Sequence, residues 1–315
     1  MSGPVAAADV AGDPEHVGPS TVELSESRES TVGAFTVRRA LPRRARRTVG
    51  AWCFVDHMGP ATVTADRGLD VAPHPHIGLQ TVTWLFRGEV LHRDSLGTEQ
   101  LIRPGQLNLM TAGHGVSHSE EGTGSYAGPL HGVQLWVAQP DATRSGPAAF
   151  EHHATLPQVE LGDGGVATVL VGALGDAVSS ARRDSDHVGV DLNLAAGTTT
   201  IPLQSEHEHA LVVFEGAVDV DGATITPGHL AYLGRGRDEL GLVAAGRPAH
   251  ALLIGGVPLE EPPLMWWNYV ARTRDEIVQA HEQWTARDPR FGAVDSRLEP
   301  IDVAPPPWGA GGPPG

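Results

Sequence analysis

Two short polar runs about forty residues apart could hold a metal: His74-Pro75-His76 and His118-Ser119-Glu120. Each sets two donor side chains at i and i+2, and residues two apart on a β-strand point to the same face. If the two strands face each other inside a barrel, three imidazoles and one carboxylate converge on one point. Nitrogen and oxygen donors of this kind suit a divalent transition metal. Four protein donors leave coordination positions open, which points to catalysis or sensing rather than a closed structural site. Glu120 is also the one base in the set. The chain has sixteen histidines, so a single H-x-H pair could arise by chance; the second pair carries the argument. Pro75 cannot donate to a β-ladder, which places His74 and His76 at a strand start or sheet edge.

The rest of the chain must supply strands to position these pairs. There are 39 Gly and 25 Pro, and only 5% aromatic residues, a composition of short strands and turns. The run Thr81-Val82-Thr83-Trp84-Leu85-Phe86 is β-prone and ends at Arg87-Gly88. Gln106 to Met110 alternates after the turn Pro104-Gly105, and Leu130 to Val137 forms a further strand candidate. The second half repeats the first weakly. Ile102 to Met110 aligns with Ile225 to Leu233, and Trp84 to Val90 with Val212 to Val218, at nearly one offset. A repeat of this size predicts two tandem barrels. Near the end, Thr273 and Glu276 have the form of a capping box, and Ile277, Ala280 and Trp284 recur at helical spacing. One helix of about three turns is expected there, anchored by Trp266 and Trp267.

A length of 315 residues allows two domains of ordinary size. The formal charge of −16 argues against direct nucleic-acid binding. The basic side chains are all Arg. Six of them, Arg38, Arg39, Arg43, Arg44, Arg46 and Arg47, form a cluster that could contact an anionic partner or lie over the protein's own acidic surface. The single cysteine, Cys53, excludes an intramolecular disulfide and fits a reducing cytoplasm. With no basic activator beside it, it reads as a buried strand residue. No apolar run is long enough to span a membrane, and no secretory leader is seen. Residues 1–33 are poor in large apolar side chains and read as a disordered, dispensable tail. Residues 302–315 read as an extended Pro/Gly-rich tail.

The runs His74 to Thr83 and Met110-Thr111-Ala112-Gly113-His114-Gly115-Val116-Ser117-His118-Ser119-Glu120 resemble the pirin family of the cupin superfamily. So do Val55 to Pro60, His131 to Val137 and Trp266 to Val270, and the resemblance spans roughly residues 35–300. It implies an all-β bicupin: a metal-binding barrel over 34–150, then a barrel without a metal site over 151–301 that includes the C-terminal helix. It further implies one iron on His74, His76, His118 and Glu120; copper, nickel, manganese or zinc would suit the same donors. The implied activity is that of a quercetin 2,3-dioxygenase acting on a flavonol or smaller enediol-like compound with O2. The alternative is a metal-dependent regulatory protein that binds a transcription factor or metabolic enzyme without turnover; a storage or purely structural bicupin fits the intact donor set poorly. His114 and Gln80 stand where relatives often carry Arg and Glu. His114 is then either at the site entrance or in a solvent-facing loop, and an outer-sphere acid/base role at Gln80 is in doubt. His92 and His131 could support the ligands or simply bond to nearby backbone. His207 and His209 form another H-x-H pair, but they fall out of step with the first and lack a partner pair, so structural roles are expected.

Overall fold

The computed structural model describes residues 21–33 and 35–308. Each half is a seven-stranded antiparallel sheet packed on a four-stranded one. The first large sheet runs Ala149–His153, Leu107–Thr111, Leu79–Arg87, Gly128–Ala138, Trp52–Val63, Phe35–Leu41, Arg28–Val32. Its small partner runs Val71–His76, Val116–Glu121, Val90–Asp94, Glu99–Ile102. The second half repeats this plan, with Gly197–Pro202 and Glu239–Ala244 in the places of Val71–His76 and Val116–Glu121. This is the expected all-β bicupin design.

The two large sheets pack back to back. Val55, Val82, Trp84, Val133 and Leu135 of the first meet Val171, Val212, Phe214, Leu252 and Ile254 of the second in one core. Each large sheet is therefore buried on both faces, which explains why Leu130 to Val137 is almost continuously apolar. Trp52 fastens the junction by donating its indole N–H to the Val188 carbonyl at 3.0 Å.

His131 lies on this junction and not beside the metal ligands. Its Nε2 is 2.7 Å from His57 Nε2, and the pair packs against Phe86 and Phe214. Strand alternation sets the side chain on the face that carries Val133 and Leu135. Burial, and then the mutual repulsion of the two rings, push His57 down to about 3; burial pushes His131 down to about 4. Both histidines fold neutral, while in the unfolded chain they take up protons near pH 6.5. Their contribution to stability is whole above pH 6.5 and is lost as pH falls toward 4, by about 1.4 kcal/mol per pH unit for each. Urea unfolding at pH 7.5 and pH 5 should show this loss, and His131→Gln should flatten it. An unchanged slope in the variant would place the acid sensitivity elsewhere.

Three boundaries differ from expectation. First, residues 21–33 are not a tail. Glu23–Glu26 pairs with His229–Gly234 in the second half, and Arg28–Val32 pairs with Phe35–Leu41 in the first. The chain thus straps both halves, using backbone bonds that composition does not reveal; residues 1–20 lie outside the described residues. Deleting residues through 33 should lower the melting temperature by roughly 5 °C or more relative to a chain beginning at residue 21. Equal melting would return the strap to the status of a tail. Second, Ala149–His153 pairs with Leu107–Thr111, so a division at 150/151 cuts a strand of the first sheet.

Third, the C-terminal segment assigned to the second half packs on the first. Tyr269 bridges to Ile77, Ser117 Oγ donates to the Phe291 carbonyl at 2.9 Å, and Ile301 N–H donates to the Pro73 carbonyl at 2.8 Å. The helix Arg274–Thr285 forms as expected, with Thr273 Oγ1 accepting from Glu276 N–H. Beyond it, Trp308 packs against Trp266, so residues 302–308 are extended but held; residues 309–315 lie outside the described residues.

Within the arginine cluster, Arg39 is a buried bidentate partner of Asp56, at 2.7 and 2.6 Å. Arg46 pairs with Glu23 at 2.9 Å and lies over the Tyr232 ring. Both bind the protein itself. Cys53 is buried and its thiol is pushed up to about 12 by burial, as expected of a core residue. Among the described residues no helix is long and apolar enough to cross a membrane.

Candidate metal centre

The strand Val71–His76 is the edge of the small sheet, which accommodates Pro73 and Pro75. It pairs with Val116–Glu121 so that His118 stands directly opposite His74, and Val116 opposite His76. His74, His76 and His118 are buried, and one donor atom from each lies within 4.8 Å of the other two. His76 Nε2 and His118 Nε2 are 3.1 Å apart.

Hydrogen bonds on the far side of each ring fix which nitrogens face inward. His74 Nδ1–H donates to the Ala72 carbonyl at 2.9 Å and His76 Nδ1–H to the Asn268 carbonyl at 3.0 Å. His92 Nε2–H donates to Asp94 Oδ2 at 3.1 Å, which leaves His92 Nδ1 to accept from His118 Nδ1–H at 3.4 Å. All three histidines therefore present Nε2 lone pairs inward. Burial keeps them neutral: His74 is pushed down to about 4, and His76 and His118 are held well below the usual imidazole range. Two lone pairs facing each other at 3.1 Å repel unless a cation lies between them, so these residues fit a metal.

Glu120 lines the same cavity but stands outside the three-histidine cluster. A register slip between His118 and Glu120 sets it opposite Val71. Its Oε1 accepts from Thr83 Oγ1–H at 3.1 Å, and burial raises its pKa. The neighbouring Glu121 points away, accepting from Ser119 Oγ and Ser296 Oγ at 2.7 and 2.6 Å.

The cavity holds about 300 Å³. Phe54 and Trp136, stacked at 4.0 Å, form one wall, and Trp136 packs edge-on against His76. The strap at Ser30 to Gly33, the turn Trp267-Asn268, and Ile301 with Val303 complete the lining. Trp267 has a φ of 51°, left-handed backbone that a bulky residue rarely adopts. The pairing of Tyr269 and Val270 with Ile77 holds it there, and so aims the Asn268 carbonyl at His76.

The sequence pattern brings His74, His76 and His118 together, with Glu120 beside them. His92 supports His118, with Asp94 behind it. Asp94, Thr83, Gln134 and the Asn268 carbonyl join the site with no motif that announces them; for Asp94 the i, i+2 spacing from His92 is the available signal. Gln80 faces away from the cavity: it bonds Thr111 on the face that carries Val82 and Trp84, so it has no part in chemistry there. His114 is exposed on its loop and absent from the cavity wall.

In the second half the corresponding inward positions are Thr199, Ile201, Leu240 and Leu242, which are packed and lack metal donors. His207 and His209 are buried there with rings 5.8 Å apart, and His207 lies 3.2 Å from Asp186. Among the described residues no third donor joins them.

The pirin family model matches residues 34–137, and the model of the pirin C-terminal cupin domain matches residues 189–292. A Pseudomonas aeruginosa protein provisionally named quercetin 2,3-dioxygenase is 46% identical over 278 residues, covering 88% of this chain and 87% of its own. A pirin-like protein of Caulobacter vibrioides is 38% identical over 268 residues, covering 83% and 92%. The crystal structure of quercetin 2,3-dioxygenase from Acinetobacter baumannii superposes with a TM-score of 0.86 at 43% identity, covering 90% and 95%. A bacterial pirin from Escherichia coli, in complex with nickel(II), shares the fold at 16% identity and a TM-score of 0.60, covering 76% and 100%.

Proposed function

The chain belongs to the pirin family, and from that premise we propose that it is a metal-dependent dioxygenase opening flavonols or related hydroxylated aromatics with O2. Iron is the metal we assign, on His74, His76, His118 and Glu120. The observation that carries this reading is the inward-facing histidine set beside a buried carboxyl in an aromatic-walled cavity. The names of the relatives support the substrate class.

A bound metal would supply positive charge favouring the deprotonated substrate and its reaction with O2. The chain's own groups do the rest. Phe54, Trp136 and Trp267 give a planar ring apolar surface and keep water away. Glu120 takes the proton of the ring hydroxyl, and the hydrogen bond that its Oε1 accepts from Thr83 Oγ1 holds it in place. Asp94 and His92 hold the His118 ring, and the Asn268 carbonyl holds His76.

The test is an aerobic assay of iron-loaded protein against a panel of flavonols and catechols, following O2 uptake and analysing products. Turnover with one metal per chain is expected. No uptake with any member of the panel, in protein shown to carry iron, would favour a regulatory partner-binding role.

A further inference from the structure

One polar group in the cavity wall has no assigned task. Gln134 lies on the strand Gly128–Ala138 between Thr83 and Asp56 and is 9% exposed. Its Oε1 lies 3.0 Å from Thr83 Oγ1, while its Nε2 is buried with no partner. Buried amides are nearly always paired, so this one requires an explanation.

A count of protons sharpens the point. Thr83 Oγ1 has a single proton but lies within bonding distance of both Gln134 Oε1 and Glu120 Oε1. If that proton goes to the Glu120 carboxylate, the Gln134 amide turns over and donates N–H to Thr83, and its carbonyl oxygen takes the unpartnered position. The two orientations are equivalent in shape. In either one, a polar atom of Gln134 is left unbonded in the wall of the cavity that holds His74, His76, His118 and Glu120. Asp56, across the strand pair, is bonded to Arg39 and makes no hydrogen bond to the Gln134 amide.

We infer that Gln134 is a specificity residue of the cavity: its free amide atom bonds an oxygen substituent on a planar aromatic ligand, next to the oxygen that faces Glu120 and the metal ligands. The ligand class is an aromatic with two neighbouring oxygens, one hydroxyl and one hydroxyl or carbonyl. An amide serves both, since it accepts from a hydroxyl in one orientation and donates to a carbonyl in the other. Thr83 then links the two contacts, fixing Gln134 relative to Glu120. This inference rests on the proposal that the cavity takes hydroxylated aromatics.

The experiment compares wild type with Gln134→Met, which keeps the length and removes the polar atoms, and with Gln134→Leu as a second apolar variant. Zinc-loaded protein is used, so that ligands bind without redox turnover. Dissociation constants are measured for catechol and for phenol, which keeps one hydroxyl and lacks the neighbouring oxygen, together with metal content and melting temperature. Wild type should prefer catechol. Both variants should lose about tenfold to a hundredfold in catechol affinity while phenol affinity stays within about threefold. Metal content should be unchanged, and the melting temperature equal or higher, because a buried unpaired amide has been removed. A variant that keeps the wild-type preference overturns the inference. A fall of about 10 °C or more in melting temperature would make Gln134 a structural strut, and also overturns it. If wild type binds neither compound, the reading of the cavity as a site for hydroxylated aromatics fails, and the inference that rests on it fails with it.

Discussion

His76→Ala and His118→Ala are each expected to leave the purified protein with almost no metal and no detectable turnover. Each removes a donor whose lone pair is aimed by a partner on the far side of its ring. Loss of such a supporting partner typically costs about 10–100-fold in metal affinity, and loss of the donor itself should cost more. Asp94→Asn provides the scale: it loosens the support behind His118 and should fall within that range. Elemental analysis of the variants and of wild type decides the matter. One metal per wild-type chain is expected, and His207→Ala should not change it. Two metals per chain, or undiminished metal in His118→Ala, would overturn the assignment.

Glu120→Gln should separate chemistry from binding. A neutral amide can still coordinate weakly but cannot take a proton. Turnover should fall by about 10²–10⁴-fold, the usual contribution of a general base, with a much smaller loss of metal. Glu121→Gln is the control, since Glu121 is tied to Ser119 and Ser296 on the far side of the strand. It should lower stability and leave kcat near wild type. Equal losses from the two variants would mean that Glu120 is not the base.

The donors were legible because their signal is local. An i, i+2 pair fixes a shared face on a strand regardless of what surrounds it. The helix after Thr273 was legible for the same reason, its cap and periodicity lying within about three turns. Long-range placement was not legible. The strap over 21–33 pairs through backbone groups at sheet edges, so its side chains remain polar and resemble those of a tail. Nor is the face of a strand buried on both sides legible: His131 shares its face with Val133 and Leu135, and Gln80 with Val82 and Trp84, and only packing shows that this face is turned away from the site.

The turn at Trp267-Asn268 makes the two halves inseparable as modules. The donors all come from residues 74–120, yet the carbonyl that aims His76 and part of the cavity wall arrive from beyond residue 260, after the chain has built the whole second half. A ribosome would therefore release every ligand long before the centre could close around a metal. A second barrel with no donors of its own thus serves the centre twice, by closing the shared core and by returning the C-terminal segment to the first. Gene fission between the halves would leave a first barrel with all its histidines and an unfinished site.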